Sequence, residues 1–455
     1  MIGTMTLSAL ATQLGGELIG PDVEFSSLIT DTRALTPGSM YLALIGEQFD
    51  GNDFVEQAQR CGASGAIVSR ETAKGLPQLR VADTHDALGK IAGINRARSS
   101  ARVIALTGSQ GKTTVKELIG AILRERASTL VTPENLNNTI GVPLTLLALA
   151  REHEFAVIEM GANRHGEIAF SVRVAQPDVA LITNANAAHI EGFGSLDGIV
   201  TAKGEIIDGL KTDGTLLLNG DDANCPIWQR RAGSRKSLLF SQINKQGNAQ
   251  YYAGDISINA DALTTFVLVT PKGETQVAMN LLGKHNVTNG IAAAAAAMEV
   301  GASLDNVVAG LRVVKPVAGR LAPLPGYNGC RLIDDSYNAS PSSFRAAIDV
   351  LTCHSGPTYV VVGDMRELGS ESDSAHRQIG TYAASAGVDR LLAVGDSSRI
   401  TAAAFGKRAK HFENKADLVA ECKLLAGPGV TFLIKGSRGA AMDTVVVAMS
   451  LSEDL

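Results

Sequence analysis

The chain reads as an α/β protein of three domains: a small α/β N-terminal domain, a central parallel-sheet domain around a phosphate loop, and a C-terminal Rossmann-like domain. Three observations predict this. Short apolar runs alternate with segments of helical period along most of the chain, the signature of βαβ units. One stretch, Leu106-Thr107-Gly108-Ser109-Gln110-Gly111-Lys112-Thr113-Thr114, lies between an apolar run and a helical segment. The length, 455 residues, suggests about three domains at roughly 150 residues each.

The first domain is placed at 1–82. Leu7, Leu10, Ala11 and Leu14 have helical spacing. Met40 to Leu44 reads as a strand, Phe54 to Cys61 as a helix, and Ala66-Ile67-Val68 as another strand. Between them lie Asp31-Thr32-Arg33 and the loop Gly46 to Asn52. Arg33 on a turn could fork onto a phosphate or carboxylate; equally, the same residues fit a solvated turn.

The second domain is placed at 83–318. Val103 to Leu106 is the strand that feeds the glycine turn, and Val115 to Leu123 the helix that leaves it. Such a turn aims backbone N–H groups at phosphate oxygens, with the partial positive charge of the helix N-terminus behind them. Lys112 would reach the β- and γ-phosphates, and the Thr113 hydroxyl would ligate Mg2+. The common pattern G-x-x-x-x-G-K-S/T needs glycine where this chain has Leu106, so the loop has the shorter form T-G-x-x-G-K-T-T.

Downstream comes a dense group of asparagines, Asn135, Asn137 and Asn138, before a predicted helix at Leu144–Ala150. They read as hydrogen-bonding groups for a ligand, or as turn formers. Phe155–Ile158 is a buried strand ending in Glu159, where a carboxylate beside a phosphate loop holds Mg2+. Val179–Ile182 ends near His189, which points to the same carboxyl-end crevice. Lys203, by itself, reads as a helix-surface lysine. Residues 233–280 are strand-like and more polar. Asn286 and Asn289, three apart at a helix start, share a face; base recognition and N-capping both fit.

The third domain is placed at 319–455, after the linker Val313–Arg320. Its strands are Arg331–Ile333, Tyr359–Val362, Leu391–Val394 and Thr431–Ile434, each ending in polar or Gly-rich sequence. No G-x-G-x-x-G occurs, which argues against a dinucleotide. Asn414-Lys415-Ala416-Asp417 spells the N-K-x-D of guanine readers, but it lies far from the loop and follows no apolar strand.

Composition bounds the partners. Net charge is −5, from 41 basic and 46 acidic residues, so no basic domain suggests a nucleic-acid partner. The five cysteines are scattered, with no C-x-x-C, as in a reducing compartment without a zinc site. No run approaches the ~18 apolar residues of a membrane span, and no leader begins the sequence. The expectation is a cytosolic protein without stable membrane insertion.

These motifs in this order resemble the Mur ligases, the ATP-dependent amide-forming enzymes of peptidoglycan precursor synthesis. The carriers are T-G-S-Q-G-K-T-T at 107–114, E-M-G-A at 159–162, Asn184–His189, A-K-G-E-I at 202–206, G-K-H-N-V-T-N at 283–289, D-D-S-Y-N-A at 334–339 and K-G-S-R at 435–438. D-T-R at 31–33 and F-D-G-N-D-F at 49–54 resemble the uridine-binding domain shared by the tripeptide-forming and the D-alanyl-D-alanine-adding members. L-N-N-T-I-G-V-P-L-T-L-L at 136–147, E-M-G-A, D-D-S-Y-N-A-S-P-S-S at 334–343 and G-D-M-R-E-L-G at 363–369 resemble the member that adds D-alanyl-D-alanine to UDP-N-acetylmuramoyl tripeptide. Tripeptide-forming and folylpolyglutamate-type ligases remain alternatives, as does a regulatory P-loop NTPase.

The resemblance implies roles. Thr107 to Thr114 (Thr107, Gly108, Ser109, Gln110, Gly111, Lys112, Thr113, Thr114), with Asn286, Asn289, Arg320 and Asp335, would bind ATP. Thr113, Glu159, His189 and Lys203 would hold two Mg2+ ions, Lys203 as an N-carbamate formed with CO2. Lys112, Lys203, His189 and Glu159 would carry the chemistry. Thr32, Arg33, Asn52, Asn135, Asn137 and Asn138 would contact the UDP substrate. The chain would act as a monomer and close its domains around Lys315–Arg320.

Overall fold

The structure, a computed structural model, describes residues 1–186, 190–259 and 262–451. Internal contacts divide the chain into two compact units. One is Met1–Thr107 with Ala127–Ala180 and Gly204–Leu216; the other is Gly108–Arg126 with Leu181–Lys203 and Leu217–Leu455.

In the first unit, five strands lie in the order Glu17–Ile19, Gln78–Arg80, Gly65–Val68, Met40–Leu42 and Leu28–Ile29. All pairs are parallel except the first. Helix Leu7–Leu14 starts where the Thr6 side chain accepts from the Ala9 N–H and stops at Gly15 with φ 67°. The helix expected over Phe54–Cys61 is shorter, Val55–Arg60, with a 3-10 turn at Gly51–Phe54 before it. The Asp50 carboxylate starts that turn by accepting from the Asn52 N–H. Helix Thr84–Ala97 follows, capped by Asp83.

Strand Arg102–Thr107 then pairs in parallel with Phe155–Glu159, which pairs in parallel with Thr129–Val131 on its other side. Val103 to Leu106 and Ala156 to Ile158 are wholly buried, as expected of a parallel strand covered on both faces. Their register sets Glu159 opposite Leu106. Helix Gly141–Leu147 begins three residues before the expected Leu144. The Asn138 Oδ1 accepts from the Ile140 and Gly141 N–H groups, and Pro143 falls early in the helix, where a missing N–H costs little.

The second unit begins with helix Lys112–Arg124, against which helices His285–Glu299 and Leu304–Val313 pack. The polar stretch is a run of strands, Lys236–Ser241, Tyr251–Ile258, Leu263–Thr270 and Gly273–Leu282; the last three form an antiparallel ribbon. Burial alternates along Leu263–Thr270, as a strand with one covered face requires.

The same unit holds a six-stranded sheet in the order Ala322–Pro325, Arg331–Asp335, Thr431–Lys435, Thr358–Val362, Arg390–Val394 and Ala409–Phe412. It is parallel except for its first pair. Phe344, Ile348 and Ile379 pack on one face, and Leu418, Cys422, Val445 and Met449 on the other. Burying each large apolar side chain contributes roughly 1.5–3 kcal/mol, so both helix layers are held to the sheet. Its carboxyl ends carry Asp335, Asp364, Gly395 and Lys435, the edge where ligands bind in doubly wound sheets.

Candidate active site

The glycine loop is shaped by two close approaches. A Cβ on Gly108 would lie 1.9 Å from the Thr183 Oγ1, and one on Gly111, where φ is 78°, would lie 2.6 Å from the Asn289 Oδ1. Neither position accepts a side chain unless the loop or the Thr183 or Asn289 side chain moves.

The segment after strand Val179–Ile182 pins the loop from outside. The Ser109 N–H donates to the Asn184 carbonyl (3.0 Å) and its hydroxyl to the Asn186 carbonyl (3.0 Å). The Gln110 N–H donates to the Asn184 Oδ1 (2.9 Å), and the Gln110 carbonyl accepts from the Thr183 hydroxyl (2.7 Å) and the Asn184 Nδ2 (3.2 Å). The loop is therefore set before any ligand arrives.

Helix Lys112–Arg124 starts at Gly111, which supplies no side-chain cap. An uncapped helix N-terminus leaves donors for an anion. The Lys112 Nζ donates back to the Gly108 carbonyl (2.8 Å), which lays the ammonium across the turn. The Thr113 side chain is buried at the helix start. Backbone donors, a spanning ammonium and a hydroxyl are the groups that a polyphosphate with its metal requires.

In the first unit, Glu159 is buried at the end of its strand. Its Oε1 accepts from the Asn137 Nδ2 (2.8 Å) and its backbone N–H donates to the Thr132 hydroxyl (2.9 Å). The Thr107 hydroxyl donates to the Met160 carbonyl (2.7 Å), tying the two strand ends together. The asparagine group thus divides: Asn137 orients Glu159, Asn138 caps the next helix, and Asn135 is exposed.

Lys203 is not on a surface. It is 3% exposed, near the end of helix Leu196–Gly204, with its Nζ 5.6 Å from the Phe193 ring centroid. Spacing alone gave no sign of this burial. Glu205, two residues on, takes the Gly166 and Ala169 N–H groups at the start of helix Glu167–Ala175. His189 lies outside the described residues. Among the described residues no three His, Cys, Asp or Glu side chains gather as a metal site.

Asn286 and Asn289 do not cap their helix. The Asn289 Nδ2 donates to the Asn286 Oδ1 (2.7 Å), and the Asn286 Nδ2 donates to the Leu282 carbonyl (2.8 Å). The pair is a rigid unit beside Gly111. Among the groups facing His285 are Asp335, Lys435 and Asp349; desolvation is the larger influence and holds its imidazole below the usual range.

The linker end is strapped to strand Arg331–Asp335. The Gly319 N–H donates to the Asp334 Oδ2 (2.9 Å) and the Leu321 N–H to the Asp335 Oδ1 (3.2 Å). The Asp335 Oδ2 accepts from the buried Lys435 Nζ (2.5 Å). Arg320 stacks on the Tyr337 ring, 4.3 Å from its centroid, and Arg438 lies 5.5 Å from the same centroid. This carboxyl-end cluster was only partly legible. Arg320 and Asp335 came from motif resemblance, while the part played by Tyr337 and Arg438 depends on the fold.

The N-terminal candidates hold one another. Thr32 and Arg33 lie in the 3-10 turn Thr32–Ala34, capped by Asp31. The Arg33 guanidinium donates to both Asp31 oxygens (Nη2–Oδ2 2.6 Å, Nε–Oδ1 3.0 Å), which pulls the Asp31 carboxyl down to about 2. Asn52 is buried and braces its loop through Asp50 and Ser69. The same loop region exposes the apolar side chains Ile45, Phe49 and Phe54, an exposure the F-D-G-N-D-F motif did not announce.

The N-K-x-D segment is a helix start. The Asn414 Oδ1 accepts from the Asp417 N–H (2.9 Å), capping helix Lys415–Leu425.

Comparison with known proteins follows the same three-part order. Residues 24–96 match the description "Mur ligase family, catalytic domain", 106–297 "Mur ligase middle domain" and 319–438 "Mur ligase, glutamate ligase domain". The UDP-N-acetylmuramoyl-tripeptide–D-alanyl-D-alanine ligase of Escherichia coli K12 is 47% identical, over 98% of both chains. Among solved structures, MurF of Acinetobacter baumannii superposes with a TM-score of 0.92 at 36% identity, covering 98% of each chain. MurF of Thermotoga maritima in complex with ADP gives 0.84 at 27%, covering 93% of this chain and 96% of that one.

Proposed function

The chain belongs to the Mur ligase family, and from that premise we propose that it joins D-alanyl-D-alanine to the peptide carboxylate of a UDP-N-acetylmuramoyl tripeptide, driven by ATP. It is an ATP-dependent amide ligase of peptidoglycan precursor synthesis. The observation that carries the mechanism is the pinned glycine loop with Lys112 laid across it.

A carboxylate does not form an amide at neutral pH without a better leaving group. The γ-phosphoryl group of ATP moves to the tripeptide carboxylate, giving an acyl phosphate and ADP. The amine of D-alanyl-D-alanine attacks, and the tetrahedral adduct expels phosphate. Positioning and charge neutralisation supply the catalysis. In this reading the loop N–H groups and Lys112 hold the phosphates, and Asn286 and Asn289 meet the adenosine. Arg320 and Asp335 complete the nucleotide contacts.

Mg2+ neutralises phosphate charge when bound. The donor chemistry fits it: the Thr113 hydroxyl and the Glu159 carboxylate are hard oxygen ligands, and Asn137 holds one Glu159 oxygen in place. For a second ion we assign His189 and Lys203, the lysine as its N-carbamate. Capture of CO2 turns a buried ammonium into an anion able to ligate metal. Lys203→Ala should then lose most activity and regain part of it with added short carboxylates; full activity in that variant would exclude the carbamate.

Thr32, Arg33 and Asn52 are assigned to the UDP end, and Asn135, Asn137 and Asn138 to the muramoyl-peptide side. We assign domain limits at 1–82, 83–318 and 319–455, a monomer, and a cytoplasmic location. No helix among the described residues is long and apolar enough to cross a membrane. The deciding experiment is phosphate release from ATP and UDP-muramoyl tripeptide with different amines. D-alanyl-D-alanine should drive it, and diamino acids and glutamate should not; the reverse order would overturn the assignment.

A further inference from the structure

The Gln110 side chain leaves the phosphate cradle for a distant part of the chain. Its Nε2 donates to the Ser340 Oγ (2.7 Å) and to the Ser342 Oγ (2.7 Å). Both amide hydrogens are used. Ser340 is the N-cap of helix Pro341–Leu351, where its hydroxyl accepts from the Ser343 N–H. A hydroxyl oxygen has a second lone pair, and that one takes Gln110. Ser342 stands in the first turn of the same helix.

The backbone of Gln110 is fixed at the same time by Thr183 and Asn184. A residue held at both ends transmits position. The loop and the start of helix Pro341–Leu351 become one hydrogen-bonded body. That helix start follows directly on Tyr337 and Asn338, and Tyr337 carries Arg320 and Arg438 against its ring.

We propose that Gln110 is a positioning residue: through Ser340 and Ser342 it sets the Tyr337 segment and its two arginines against the phosphate loop for phosphoryl transfer. Its side chain makes no contribution to holding ATP, which the loop backbone and Lys112 bind without it. This rests on the ligase reading given above. Gln110 therefore acts on turnover and not on nucleotide affinity.

The test is a mutant cycle on the full chain, read by kcat, by KM for ATP, by ADP affinity, and by the scattering radius with a non-hydrolysable ATP analogue. Gln110→Ala should lower kcat by about tenfold with ADP affinity within about twofold of wild type. Ser340→Gly with Ser342→Ala removes both acceptors and keeps a tolerated N-cap residue. That pair should show the same loss, and combining it with Gln110→Ala should add nothing, because one interaction is being removed twice. Both sets should enlarge the analogue-bound radius. Unchanged ADP affinity shows that the variants fold. Wild-type kcat in Gln110→Ala, multiplying losses in the combination, or a fall in ADP affinity matching the fall in kcat would each overturn the proposal. Absence of amine-dependent phosphate release in the wild type would instead overturn the ligase reading, while the radius still tests the latch.

Discussion

Two regions of this chain were expected to hold phosphate, and they are built in opposite ways. The loop at 108–114 is made of backbone. Its glycines sit where no Cβ fits, its outer face is bonded to Thr183–Asn186, and its helix begins without a side-chain cap. The turn at 31–33 is made of side chains. Its one cation, Arg33, already has a carboxylate partner in Asp31. A backbone cradle is formed in advance, because the segment Thr183–Asn186 holds its shape from outside. A side-chain site satisfied by its neighbour must exchange partners to take a ligand.

The largest expected effect is at the cradle. Lys112→Ala removes the ammonium that lies across the turn, and ADP formation should fall by about a thousandfold or more, a few kcal/mol of lost charge stabilisation. Normal turnover in that variant would break the comparison at its stronger side. Gly108→Ala comes next. The added methyl collides with Thr183, so ATP affinity and stability should fall together, the latter by about 1–3 kcal/mol; calorimetry with and without ADP separates the two.

At the other site the effect should be smaller and confined to one substrate. Arg33→Ala should raise KM for the UDP substrate by about tenfold, one charge-assisted contact, and leave KM for ATP unchanged. An equal change in both would show that the turn does not act as a separate site. The pair has its own pH dependence. Asp31 titrates lower in the folded chain than in the unfolded one, so its contribution is present above the ordinary carboxylate range and lost as pH falls toward about 2. Both groups face solvent, so water and salt screen the pair and its contribution is small. The smallest effect belongs to Asn414→Ala. Losing an N-cap costs about 1 kcal/mol in a melting curve, and the preference for ATP over GTP should not move.

What could be read from the sequence follows the same division. The cradle was legible because strand, glycine turn, lysine and helix are local: their geometry follows from the order of residues. The carboxyl-end polar segments of the last sheet were legible for the same reason. Burial was not. Lys203 has the spacing of a surface lysine, and only packing places it inside. Asn138 was readable as a ligand group or a turn former, and only the fold shows its side-chain oxygen at the start of the next helix. Helix Thr84–Ala97 was passed over although Asp83 marks its start, because its apolar positions are interrupted by glycine and charge. The edge strand Ala409–Phe412 is too polar to announce itself, since an edge strand needs one covered side only. Gln110 was assigned to the loop for its backbone; the partners of its side chain lie some 230 residues away, beyond any local pattern.

The central claim is that the loop at 108–114 serves transfer of the γ-phosphoryl group to a carboxylate. A heavy-oxygen label in the tripeptide's reacting carboxylate tests it directly. Turnover with ATP and D-alanyl-D-alanine should deliver one labelled oxygen into the released phosphate, because the acyl phosphate breaks at its carbonyl carbon. Full amide formation with unlabelled phosphate would contradict the account.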